Sequence, residues 1–450
     1  MGTQRWKWAA ILLAGAQVAL VLLVLAAGGL WGTFRREEMG NALGAVALYG
    51  AAAWLALGAL CLARFRPREF ALLIVSLAVT CAVVEIAVRY AIPERAMMRF
   101  RWQQSRQYHH IAPANRTMFK TWYEGNPILI ITNEDGLRST YSRADFAAHP
   151  TRIVMMGDSF TYGYGVRQEY AFPEAAQRLI RGRLGRDDVA VLNAGIVSYS
   201  PFLANLLFDG VVRAYKPQLV LYFLDATDFG DDYFYAAQAQ HDGDRVSFDI
   251  DERRQFYYGV LGELAYKALE RPPASRLVDW AAWPKTFLAR RLWPGGADAA
   301  KGYYDFDLTI DGVRQGTRYF IYKHPLEKLR PYFEATLEHV NRLERQVRAA
   351  GAAFVLVIVP RFHHWNPNES PEYWERDEYR VDEPHQFAYF EFFDEVKDRL
   401  PYPVFSLLPA FQATDEYPLT FRRDAHWTED GHDFVARVVT DHLIEQGLVP

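Results

Sequence analysis

Ile153-Val154-Met155-Met156-Gly157-Asp158-Ser159-Phe160-Thr161-Tyr162-Gly163 is the stretch from which the fold can be read. The apolar run reads as a strand buried on both faces of a parallel sheet, and it leads into a serine flanked by an acid and glycines. Ser159 therefore stands where a strand ends and a loop begins. Ligands of open α/β sheets bind at that carboxyl end, so Ser159 is a candidate nucleophile. A base and an acid to orient it are offered far downstream by Asp424-Ala425-His426-Trp427-Thr428-Glu429-Asp430-Gly431-His432. Asp424 and His426 are two residues apart and point to the same side if the backbone is extended.

Four more apolar runs of similar length follow: Val189 to Leu192, Leu219 to Leu224, Phe354 to Val359 and Val404 to Leu408. The stretches between them are long enough for helices, which is a βαβ rhythm. Leu329, Phe333, Leu337, Val340, Leu343 and Val347 recur at helical steps and stop before Gly351. Phe434, Val435, Val438, Val439 and Leu443 mark a closing helix. The expected fold is α/β, with a five-stranded parallel sheet between helices. From Asp231 to about Pro325 the pattern breaks into aromatic, charged and proline-containing sequence with Trp280, Trp283 and Trp293, read as an insertion.

The 450 residues are half hydrophobic with a net charge of −4, so no basic excess recommends nucleic acid as a partner. Three apolar stretches, Trp8 to Trp31, Ala42 to Ala63 and Phe70 to Tyr90, each approach the ~20 residues of a membrane-spanning helix. Arg5 and Lys7 before the first, and Arg64, Arg66 and Arg68 between the second and third, put those segments on the cytoplasmic side. Residues after about Pro93 are then extracytoplasmic. The expected organisation is a membrane anchor over 1–93, a lead-in over 94–150, and a catalytic domain over 151–450 with its insertion at about 231–325. Cys61 and Cys81 both fall in expected spans, so the exported part has no thiolate metal ligands and no disulfides. His363 and His364 are adjacent, point apart on a strand and lack a matching carboxylate spacing, so no metal or other cofactor is expected.

Gly157-Asp158-Ser159, Asn193-Ala194-Gly195, Asp225-Ala226-Thr227-Asp228 and Asp424-Ala425-His426 resemble, in order and spacing, the four blocks of the SGNH (GDSL-type) hydrolase superfamily. Thr132-Asn133-Glu134-Asp135-Gly136-Leu137-Arg138 and Thr161-Tyr162-Gly163-Tyr164-Gly165-Val166 resemble its membrane-anchored bacterial branch. The resemblance covers roughly Asn133 to the C-terminus and leaves the central insertion unmatched. It implies a flavodoxin-like three-layer sandwich and ester chemistry, with Ser159 attacking an acyl carbonyl, His426 taking its proton and Asp424 holding the imidazole. The backbone N–H groups of Ser159 and Gly195 would hold the oxyanion. Thr227 stands where the family places a third donor, an asparagine, and a threonine hydroxyl is shorter than an amide. The Asp-to-His spacing of two also departs from the family's commoner three. The absence of the second glycine of a G-x-S-x-G elbow argues against the α/β-hydrolase fold.

Each residue has a structural alternative. Ser159 would cap the following helix, His426 would be a surface imidazole beside Trp427, Asp424 would pair with Arg422 or Arg423, and Gly195 would be turn chemistry. His432, His363 and His364 read as structural or substrate-wall residues, and Asp158 as an acceptor for loop N–H groups. The expected protein is a multi-pass inner-membrane serine esterase or O-acyltransferase whose extracytoplasmic domain acts on acylated carbohydrate or other envelope esters. A transferase would need a separate membrane partner to supply acyl groups. The competing expectation is a degenerate domain that binds glycan or an assembly partner, and a third is a lipid esterase at the bilayer surface.

Overall fold

The computed structural model describes Val75 and residues 102–450, apart from 124–125, 244, 251–307, 374–375 and 377–383. Apart from Val75 in the third, the three expected membrane spans lie outside the described residues, as do both cysteines and the three tryptophans of the central stretch. Among the described residues, no helix is long and apolar enough to cross a membrane.

Five strands build one parallel sheet: β1 (Thr151–Gly157), β2 (Val189–Gly195), β3 (Leu219–Leu224), β4 (Ala353–Ile358) and β5 (Val404–Ser406). Their order across the sheet is β5-β4-β3-β1-β2, and every neighbouring pair is parallel. All five expected strands are present. The last is shorter than the Val404 to Leu408 run because Leu408-Pro409 opens a short helix, Leu408–Ala413, with proline in its first turn. The longer helices are α1 (Phe172–Leu184), α2 (Pro201–Gly210), α3 (Asp228–Gln238), α4 (Leu326–Ala349), α5 (Ala388–Val396) and α6 (Glu429–Glu445).

Alternate residues of each strand enter different cores, as the two-residue period of a strand requires. Val154, Met156, Leu192, Val220, Tyr222, Leu224, Leu356 and Ile358 face one side and pack with Leu207 of α2, Phe229 of α3, Phe333 and Val340 of α4, and Phe392 of α5. Ile153, Met155, Val191, Leu219, Leu221, Phe223, Val355 and Val357 face the other and pack with Ile180 of α1 and Val435 and Val439 of α6. Both faces are thus covered, which is why the strands read as continuous apolar runs rather than alternating ones. Phe229 and Tyr235 bury α3 in the first of these cores, so the chain past Asp231 continues the helical layer before the hairpin of Ala239–Asp242 and Arg245–Phe248.

The strand order reverses between β1 and β3, the switch point at which doubly wound sheets open a crevice at their carboxyl ends. Ser159 follows β1 and Asp225 follows β3, on the two sides of that point.

Phe333 is fully buried, with its ring 4.5 Å from that of Phe229 and 5.5 Å from that of Phe392. Phe333→Ala is expected to cost about 3–5 kcal/mol through lost transfer energy and a cavity. Urea denaturation measures this, and a loss below about 1 kcal/mol would mean that α4 does not pack as described.

Candidate active site

Asp158 caps the one-turn helix Ser159–Tyr162, its Oδ1 accepting from the Phe160 N–H at 2.9 Å. The structural reading of Asp158 thereby has a definite partner. The turn sits against the end of β2 so tightly that a Cβ on Gly195 would lie 2.3 Å from the Tyr162 nitrogen and 2.6 Å from the Thr161 carbonyl carbon. Gly163 ends the turn at φ +77°, a conformation costly for residues with a side chain. Beyond it, the buried Arg138 guanidinium donates to the carbonyls of Tyr162 at 2.9 Å, Gly163 at 2.5 Å and Val166 at 2.8 Å. The lead-in segment singled out by its resemblance thus clamps the loop after the serine.

The second half of the site is carried by a loop just before α6. Thr420 and Trp427 form an isolated antiparallel bridge, and the Phe421 N–H donates to the His426 carbonyl at 3.0 Å, folding Arg422 to Ala425 into a short excursion. The buried Glu369 carboxylate holds the base of this excursion, accepting from Leu419 N at 2.8 Å, Thr420 N at 3.0 Å and Thr420 Oγ1 at 2.7 Å. Ser370 Oγ donates to the Asp424 carbonyl at 2.9 Å. Thr428 caps α6, its Oγ1 accepting from Gly431 N at 3.1 Å. Trp427 is fully buried beside Phe160, ring centres 4.6 Å apart, and anchors the loop in the second core.

This framework brings Ser159, His426 and Asp424 together. His426 Nε2 lies 2.7 Å from Ser159 Oγ, while His426 Nδ1 bonds Asp424 Oδ1. The carboxylate can only accept, so Nδ1 carries a proton; in the neutral imidazole Nε2 is then the acceptor for the serine hydroxyl, which also lies 3.3 Å from Asp158 Oδ2. Asp424 Oδ1 also accepts from the His426 N–H at 2.9 Å, a contact that the two-residue spacing permits. Arg422 and Arg423 both donate to Glu372, at 2.7 and 2.8 Å. The imidazole sits between the rings of Phe160 and Tyr164, with centroids 5.0 and 4.7 Å away. The arrangement can move a proton off Ser159 Oγ and hold the resulting imidazolium against a carboxylate.

Two of the three donors expected of an oxyanion hole are otherwise engaged. The Gly195 N–H donates to Asn193 Oδ1 at 3.1 Å. Thr227 Oγ1 donates its one proton to Asp225 Oδ2 at 2.6 Å and accepts from Arg361 Nη2 at 3.0 Å. As folded, Thr227 therefore serves Asp225, because a hydroxyl has a single proton to give.

Behind the serine, Asp158, Asp225 and Asp228 each offer a buried carboxylate oxygen within 4.8 Å of the others. Burial, then the charge of Asp225, pushes Asp158 up to about 7, against the pull of Arg361. Burial with Asp158 and Asp225 raises Asp228 well above the carboxylate range. At Asp225 burial pushes upward, but the Arg361 charge and the hydrogen bonds from Arg361 and Thr227 prevail and hold it low. This is one paired carboxylate beside two that favour their protons. Arg361 was not singled out from sequence, although it lies just past a predicted strand, where the reasoning that found Ser159 also applies. Glu369 has no comparable signal. His363, His364 and His432 are buried, and burial pushes His364 down to about 4 and His432 to about 3. His364 Nδ1 accepts from the Arg361 N–H at 2.9 Å and His432 Nδ1 from the Phe172 N–H at 3.2 Å, which are structural roles.

Residues 319–449 match the family model described as the SGNH hydrolase-like domain of acetyltransferase AlgX. The match supports the SGNH superfamily. It takes in Arg361, Asp424 and His426 but not Ser159, and it supports a hydrolase or acyltransferase-like function. No curated protein matches the chain. Among solved structures, the chain is similar to the psychrotrophic esterase EstA of Pseudoalteromonas sp., at 12% identity over 66% of this chain and 98% of that one, with a TM-score of 0.31. It is similar to the acetyl xylan esterase AlAXEase at 14% identity over 65% and 99%, TM-score 0.33. A variant of Axe2, an acetyl-xylooligosaccharide esterase from Geobacillus Stearmophilus, gives 13% identity over 65% and 94%, TM-score 0.32.

The raised pKa of Asp158 carries a stability prediction. A carboxyl whose pKa is higher folded than unfolded contributes stability that is fully present below its unfolded value near 3.8 and lost as pH rises through about 7. Asp158→Asn removes that dependence, so the stability difference between variant and wild type is expected to move in favour of the variant from pH 5 to pH 8. Melting curves across this range check it, and a difference that stays constant with pH would contradict a buried, proton-favouring Asp158.

Proposed function

We propose that this protein is a serine-dependent acyl-transfer enzyme, an esterase or O-acyltransferase acting on acylated carbohydrate or other cell-envelope esters. The observation that carries the reading is the Ser159–His426–Asp424 chain of hydrogen bonds at the carboxyl edge of the sheet. Ser159 Oγ attacks the acyl carbonyl carbon while its proton passes to His426 Nε2. The tetrahedral intermediate collapses as the imidazolium gives that proton to the departing alcohol, leaving an acyl-enzyme. Water or a sugar hydroxyl, deprotonated in turn by His426, resolves it. The family model's acetyltransferase designation favours acetyl as the group transferred.

The anchor and orientation belong to the same proposal. Three apolar stretches of membrane-spanning length, with basic residues before the first and between the second and third, support a multi-pass inner-membrane protein whose catalytic domain is extracytoplasmic. As a transferase, it would draw acyl groups from a membrane partner.

A second reading, a silent domain that binds glycan or an assembly partner, is favoured by one observation: the Gly195 N–H and the Thr227 hydroxyl are both engaged within the fold. Full-length protein in detergent, treated with a fluorophosphonate probe and p-nitrophenyl acetate, separates the two. Labelling and hydrolysis are expected in wild type and absent in Ser159→Ala and His426→Ala, whereas no labelling of folded wild type would favour the binding domain.

Thr227→Val tests the oxyanion hole. Since its proton serves Asp225, the substitution is expected to change acetate hydrolysis only a few-fold at fixed stability. A loss of about 10²–10³ would instead show that the hydroxyl turns toward the oxyanion during reaction.

A further inference from the structure

We infer that Arg361 is a positioning residue for the serine site, registering the serine turn against the Asp225–Asp228 turn so that Ser159 meets His426. The inference rests on the acyl-transfer reading above. Arg361 is 2% exposed. Its Nε donates to Asp225 Oδ1 at 2.8 Å and Oδ2 at 3.1 Å, and its Nη2 donates to Asp225 Oδ2 and to Thr227 Oγ1 at 3.0 Å. The guanidinium carbon also stands 5.0 Å from the centre of the Phe160 ring.

These contacts tie three strand ends together. The edge of one rigid plane grips the turn after β3, its face lies on the residue next to the nucleophile, and its backbone lies just past the end of β4. Phe160 in turn packs on His426, ring centres 5.0 Å apart. A shift of the guanidinium therefore displaces both partners of the hydrogen bond between Ser159 and His426. The backbone of Arg361 is fixed as well, by the bond from its N–H to His364 Nδ1, and His364 Nε2 is held by the Gln386 carbonyl at 2.9 Å. Only arginine combines a bidentate fork with a planar face, so lysine would keep the charge and lose the register.

Among the charged groups near Arg361 are Asp225, which it pairs, and Asp158 and Asp231, whose pKa values it lowers. A role limited to neutralising buried charge predicts that removing both charges together restores the protein, because a buried ion pair is replaceable by neutral groups at little cost. A positioning role predicts otherwise, and that difference is the test.

Wild type, Arg361→Met, Arg361→Lys and the double variant Arg361→Met with Asp225→Asn are compared in full-length protein, reading melting temperature, fluorophosphonate labelling rate, and kcat and KM for p-nitrophenyl acetate. Arg361→Met is expected to lower both melting temperature and labelling. The double variant is expected to recover the melting temperature while kcat stays about 10- to 100-fold below wild type with KM little changed, the cost of a small misplacement of reacting groups. Arg361→Lys is expected to be slow as well. Recovery of both melting temperature and kcat in the double variant, or wild-type labelling in folded Arg361→Met, overturns the inference. Failure of the wild type itself to label would instead overturn the acyl-transfer reading and this inference with it.

Discussion

A parallel sheet covered by helices on both faces has only its strand ends on which to display polar groups. Strands β1 to β3 are almost wholly buried and apolar, so side chains able to do chemistry collect where the backbone leaves the sheet. The carboxyl edge receives Asp158 and Ser159 from β1, Gly195 from β2, Asp225 and Thr227 from β3, and Arg361 from just beyond β4. Parallel direction places all of these at one edge, on either side of the reversal of strand order between β1 and β3.

That edge is not built for stability alone. Three carboxylates converge behind the serine around one guanidinium, and Asp158 and Asp228 are held in an environment that favours their neutral forms. A hydrophobic repacking of similar volume would cost less than buried charge. Departures of this kind from the rules of a well-packed core concentrate at functional sites, where groups are kept for their positions. Arg138 belongs to the same pattern: a wholly buried guanidinium donates three hydrogen bonds to loop carbonyls, fixing the backbone that follows Ser159.

The two halves of the candidate triad reach each other by different means. Ser159 is placed by the sheet itself. His426 is placed by a loop whose geometry depends on Glu369 and Ser370, some fifty residues upstream, and on the burial of Trp427. Apolar periodicity located the strands, α4 and α6 because burial on a sheet leaves its period in the sequence. It had no bearing on Glu369 or Arg361, whose importance lies in partners distant along the chain and leaves no local pattern. Thr227 shows the other limit. Its position in a block suggested a donor role, but the direction of its single proton is set by Asp225 and Arg361, and Arg361 lies 134 residues away.

From sequence alone came the α/β class, the five strands, a serine at the end of the first and an acid and histidine suitably spaced before the last helix. These are local properties, written in runs of apolar residues and the turns that end them. Only the tertiary structure decided that Ser159 and His426, 267 residues apart, stand within hydrogen-bond distance, that Arg422 and Arg423 both donate to Glu372, and that Arg361 joins three strand ends. The physical reason is that hydrogen bonds and ion pairs depend on distances and directions set by the packing of distant segments, and no window of sequence contains both partners.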